Sequence, residues 1–150
     1  MLTYEPYTPS RRAACLGLFD ANTPRFFAAS ERPDFEHFLD HYTSAWHFKT
    51  GMLDGDVVSC GGYRVDAAGT AALAWGMVAP ECHGRGIGRM MAHSRLDAAS
   101  RHPGVTRIIL DTSQHTQGFY ARLGFKPMSV TRDGYGPGLD RWDMVLTLRR

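Results

Sequence analysis

Cysteine is scarce in this chain: Cys15, Cys60 and Cys82 are the only three in 150 residues, and no two stand in a CxxC spacing. An odd, dispersed set excludes a zinc ribbon and a disulfide framework alike. Long apolar runs are missing too, and none approaches the roughly 20 residues that a membrane-crossing helix needs. The start, Met1-Leu2-Thr3-Tyr4-Glu5, lacks the charged and apolar regions of a secretory leader, so a cytoplasmic location is expected. Charge of one sign is also lacking. The formal net charge is +2, and the fifteen arginines are scattered, with Arg11-Arg12 and Arg149-Arg150 the only basic clusters. Neither nucleic acid nor a membrane surface is therefore an expected partner. Repeats and low-complexity tracts are absent, which points to one domain over residues 1–150.

What is present has the balance of a globular protein, with 43% apolar and 21% charged residues. Residues 2–8 read as an opening strand closed by Pro9, and Ser10 can cap a helix to Asp20. A second helix begins at Pro33, with Phe35, Phe38, Leu39 and Tyr42 at helical spacing. The period then shortens. Strands are expected over residues 46–53, 57–65 and 71–78, with Asp54-Gly55 as a tight hairpin turn. Residues 86–101 read as a helix, 107–111 as a buried strand, and 116–123 as a short helix capped by Gly124. Two strands close the chain near residues 127–131 and 141–148, the last with a clear period of two. The order β-α-α-β-β-β-α-β-α-β-β implies an α/β (α+β) fold, with a mixed sheet between helices.

The most informative stretch is Ala79-Pro80-Glu81-Cys82-His83-Gly84-Arg85-Gly86-Ile87-Gly88-Arg89, a strand-to-helix turn with three glycines at alternate positions. Glycine admits positive φ and close approach by a ligand. The first amides of a helix have no intrahelical partner and carry the positive end of its dipole. Together these make a phosphate cradle. A Walker A loop is excluded because no Lys-Ser or Lys-Thr follows the glycines. A dinucleotide-binding turn has some support from Asp111 at the end of the next strand, but GxGxG is not GxGxxG, and hairpins precede it.

His83-Gly84-Arg85-Gly86-Ile87-Gly88 resembles motif A of the GNAT acetyltransferases, (Q/R)-x-x-G-x-(G/A), with His83 where that family usually has Gln or Arg. Gly118-Phe119-Tyr120-Ala121-Arg122-Leu123-Gly124-Phe125 resembles motif B, with Ser113 where an Asn is common. The element order matches the GNAT fold along the whole chain.

The resemblance implies an acetyl-CoA-dependent N-acetyltransferase acting by direct attack of a primary amine on the thioester, with no metal. It implies that the strand carrying Met77 and Val78 splays from its neighbour and bonds the pantetheine arm, the Val78 amide polarising the thioester carbonyl. His83, Gly84, Arg85, Gly86, Ile87, Gly88 and Arg89 would hold the pyrophosphate, and Ser113 and Tyr120 the arm. Tyr120 would be the general acid. The general base is less evident, since residues 71–78 contain no ionisable side chain. Asp111 is the side-chain candidate, and a water held by backbone carbonyls is the alternative. Phe26, Phe27 and Glu31, between the first two helices, and Tyr135, in a glycine-rich link read as a lid, are the acceptor-site candidates. His37 and His41 stand at i and i+4 without an evident third ligand, and Cys82 has no defensible histidine partner. Dimers are common in the family, so a homodimer is one expected assembly. The missing base also admits a reading from another class, a non-catalytic acyl-CoA-binding module.

Overall fold

The computed structural model describes residues 1–149. Strand β1 (Leu2–Pro6) leads to helices α1 (Arg12–Ala21) and α2 (Arg32–His41). A run of strands follows, β2 (Lys49–Leu53), β3 (Asp56–Val65) and β4 (Thr70–Val78). Helix α3 (Ile87–Ser100), β5 (Arg107–Thr112), α4 (Gln117–Arg122), β6 (Lys126–Gly136) and β7 (Leu139–Thr147) complete the order expected from the sequence. The seven strands form one sheet in the order β1-β2-β3-β4-β5-β7-β6. Only β4 and β5 run parallel, and every other neighbouring pair is antiparallel. Among the described residues no helix is long and apolar enough to cross a membrane.

Apolar residues at helical spacing bury both faces of this sheet. On one face Leu16, Phe19, Phe35 and Phe38 of α1 and α2 pack on Phe48, Val58, Cys60 and Met77. On the other, Ala99 of α3 joins Tyr63, Leu73, Ile108, Leu110 and Met144. The alternation that separates the faces breaks once in β4. Cys60 stands opposite Met77 and Gly62 opposite Ala74, so β4 carries one more residue than β3 in that interval. Trp75 takes up the extra residue at φ 52°, a β-bulge. The bulge turns Trp75 toward the α1–α2 side, where its ring lies 4.9 Å from Phe35 and 6.1 Å from Phe27.

Two boundaries differ most from expectation. Residues 44–47 form a turn in place of the start of β2, closed by Phe48 N–H to the Thr43 carbonyl at 2.9 Å. The glycine-rich link between the last strands is shorter than expected, because β6 runs to Gly136 and β7 starts at Leu139. It is the end of a β hairpin in which Gly136 pairs with Leu139, and Asp133 accepts the Gly138 N–H at 2.8 Å. Tyr135 therefore sits on a strand, where ladder pairing with β7 overrides the weak strand propensity of its glycine neighbours.

Candidate active site

Strands β4 and β5 are paired only from Thr70–Ala72 against Arg107–Ile109, and beyond that point they part. The gap opens into a cleft of about 640 Å³, within the usual size of a small-molecule site. Ala79 donates its N–H to the Val58 carbonyl at 2.8 Å. Successive residues of a strand turn their peptide groups to opposite sides, so Val78 presents its own N–H and C=O to the split. The Val78 carbonyl accepts Asn22 Nδ2–H and His83 Nε2–H, both at 3.0 Å. Asn22 is 4% exposed and also bonds the Leu18 carbonyl at 2.8 Å. It ties the end of α1 to the end of β4.

The glycine turn closes one end of the cleft. Gly84 and Gly86 hold φ near +79° and +80°, in the left-handed region. The first bond of α3 runs from Met90 N–H to the Gly86 carbonyl at 3.0 Å. The amides of Ile87, Gly88 and Arg89 thus precede any intrahelical acceptor, which suits a phosphate group. A Cβ at Gly86 would meet nothing within 4 Å, so the backbone angle alone calls for glycine. Gly86→Ala is expected to cost about 1–2 kcal/mol and to weaken CoA binding. Melting curves with and without CoA check this, and an unaltered midpoint would contradict it.

His83, Gly84, Gly86, Gly88 and Arg89 line the cleft, as do Met77, Val78, Ser113 and Tyr120. Arg85 and Ile87 do not. The Ile87 side chain is buried in the core, and the Arg85 guanidinium lies 3.9 Å from Cys82 Sγ. Ser113 is 2% exposed, and its hydroxyl accepts the His115 N–H at 3.2 Å, which fixes the turn into α4. On α4 the Tyr120 ring packs edge-on against Phe119 and Phe125, with centroids 5.1 and 5.8 Å away. Its hydroxyl bonds no described residue, and the ring lines the cleft.

Acidic groups gather at the α1–α2 side. Asp111, at the end of β5, accepts the Tyr135 hydroxyl at 2.5 Å, with Arg141 3.8 Å away. Burial, and then the Asp111 carboxylate, push the Tyr135 phenol well above its ordinary range. Glu31 accepts the Ala28 N–H at 2.8 Å. Burial raises the proton affinity of Glu31, and Asp111 and Asp34 add to this against the Ala28 bond and Arg141. Phe26 and Phe27 complete this side, Phe26 edge-on to His83 at 5.5 Å. Asp111 and all four acceptor-site candidates therefore line one cleft with the glycine turn. His37 and His41 lie elsewhere, ring to ring at 4.6 Å, and no group of three or more potential metal ligands occurs among the described residues.

Sequence reasoning missed Asn22, Trp75, Arg95, Thr112 and Thr116, all of which line the cleft. Thr112 ends β5 one residue past the expected limit, and its hydroxyl bonds that of Thr116. The chain matches the Acetyltransferase (GNAT) family over residues 15–125. It belongs to the GNAT acetyltransferases.

Acetyl-CoA is the acyl donor of GNAT enzymes, and solved structures share this fold. A ribosomal-protein-alanine N-acetyltransferase from Brucella melitensis aligns at TM-score 0.76 and 17% identity, over 97% of this chain and 99% of its own. An N-acetylglutamate synthase from Neisseria gonorrhoeae, complexed with coenzyme A and N-acetylglutamate, aligns at 0.75 and 18%, over 100% of this chain and 36% of its own. A Salmonella typhimurium protein with acetyl-CoA as its cofactor aligns at 0.74 and 16%, over 100% and 95%. A sequence comparison with curated proteins finds no match.

Proposed function

We propose that this GNAT domain transfers an acetyl group from acetyl-CoA to a primary amine of a small molecule or peptide, by direct attack. The observation that carries the reading is the parting of β4 from β5 after Ala72 and Ile109, because the phosphate cradle, the Val78 amide and Tyr120 all meet in the resulting cleft. Acetyl-CoA supplies an activated acyl carbon. The amides of Ile87, Gly88 and Arg89 bind its pyrophosphate, and the Val78 edge receives the pantetheine arm as an added strand would. Tyr120 gives its phenolic proton to the departing thiolate.

Glu31 and Asp111 receive the amine as an ammonium ion and draw its proton away. Burial favours the protonated form of Glu31, which therefore takes up a proton more readily than an ordinary glutamate. Its base form appears only above the ordinary value of 4.5. Turnover should therefore rise with pH through a limb lying above the usual glutamate range, and Glu31→Gln should remove that limb. The sign for stability is opposite. Glu31 stabilises the fold below 4.5, and that contribution fades as pH rises through its raised value. The assay is thiol release from acetyl-CoA across a panel of small amines and peptides. Release with none of them would argue against catalysis and for a CoA-binding module.

A further inference from the structure

Arg95, on α3, is 8% exposed and lines the same cleft. Its guanidinium lies against the sheet in space left by two glycines. A Cβ on Gly76 would fall 2.5 Å from one terminal nitrogen and 2.9 Å from the other, and one on Gly61 would fall 3.1 Å from Nε. Nε is buried without a partner. Among the described residues no acceptor bonds this guanidinium and no carboxylate pairs with it. The acidic protons within reach of its charge stay in place: burial raises both the Tyr4 phenol and the Cys60 thiol, so each remains neutral. A desolvated cation without a counter-charge is costly, and a guanidinium is built to take a carboxylate on two parallel bonds.

Position identifies which ligand brings that carboxylate. Arg95 stands eight residues beyond Ile87, about 12 Å along the helix from the phosphate cradle, which is within reach of a pantetheine arm and its acyl end. Gly61 and Gly76 face α3, whereas Phe27 and Trp75 lie on the α1–α2 side of the sheet. The guanidinium is thus on the donor's side, away from the amine. Resting on the reading of this cleft as the donor site, we propose that Arg95 lets the site take, beside acetyl-CoA, an acyl-CoA whose short acyl chain ends in a carboxylate, as malonyl and succinyl chains do. The transfer is otherwise unchanged: the N–C bond forms as the C–S bond breaks, and a proton ends on the CoA sulfur.

The test is calorimetric titration of the intact protein with CoA, acetyl-CoA, butyryl-CoA and succinyl-CoA, the last two alike in carbon count. Succinyl-CoA should bind about tenfold more tightly than butyryl-CoA. Arg95→Met, or Arg95→Gln if the first variant does not fold, should erase that difference and leave affinity for CoA itself unchanged. Equal affinity for the two acyl-CoAs in the parent protein would overturn the proposal, as would an equal preference in parent and variant. Failure of CoA and all three acyl-CoAs to bind would instead sink the donor-site reading, and the selectivity with it.

Discussion

The Tyr120→Phe variant should turn over about 100-fold or more slowly than the parent, with its affinity for CoA nearly unchanged. The two effects separate because the ring and the hydroxyl do different things. The ring packs against Phe119 and Phe125, and phenylalanine keeps that packing. The hydroxyl bonds no described residue, so its loss strands no partner and leaves the fold intact. What disappears is the proton for the departing thiolate. Steady-state kinetics with a competent amine and a CoA titration read the two quantities separately. Unchanged turnover would remove Tyr120 from the mechanism, and an equal loss in both would make it a binding residue.

Phe35→Ala should cost about 3–5 kcal/mol of stability, a large part of the roughly 5–15 kcal/mol that a domain has. Phe35 is 0% exposed and its ring lies 5.7 Å from Phe19, 6.4 Å from Phe48 and 4.9 Å from Trp75. These rings come from α1, α2, the entry to β2 and the bulge of β4, so no single element can move to fill the vacated space. Since Trp75 occupies the bulge beside the cleft, the variant should also lose CoA affinity well below its melting point. Urea unfolding measures the first effect, and a loss under about 1 kcal/mol would mean that the cluster collapses around the gap.

The parts of this molecule that the sequence makes legible are those encoded by near neighbours. The alternation of Trp142, Met144 and Leu146 declares β7, and the three spaced glycines declare the cradle. Tyr120 is legible in the same way, through its offset from Gly124 and Phe125. What stays hidden depends on which strands meet. The extra residue at Trp75 is a bulge only because Met77 and Ala74 face Cys60 and Gly62. Asn22 carries no local sign that it bonds Val78, and Tyr135 reads as a loop residue until it is seen to bond Asp111. Arg95 has no local signature at all, because the glycines that admit it come from β3 and β4. Ile87 divides its two parts: helical geometry turns its side chain into the core and leaves its amide to the cradle.

The most direct test of the donor site is the melting temperature of the purified protein with acetyl-CoA, CoA, NAD and ATP in parallel, since a ligand that prefers the native state raises it by mass action. Acetyl-CoA and CoA should stabilise the protein, and NAD and ATP should leave it unmoved. No shift with either CoA species, or a shift with NAD in their place, would contradict the assignment of the cleft between β4 and β5 to acetyl-CoA.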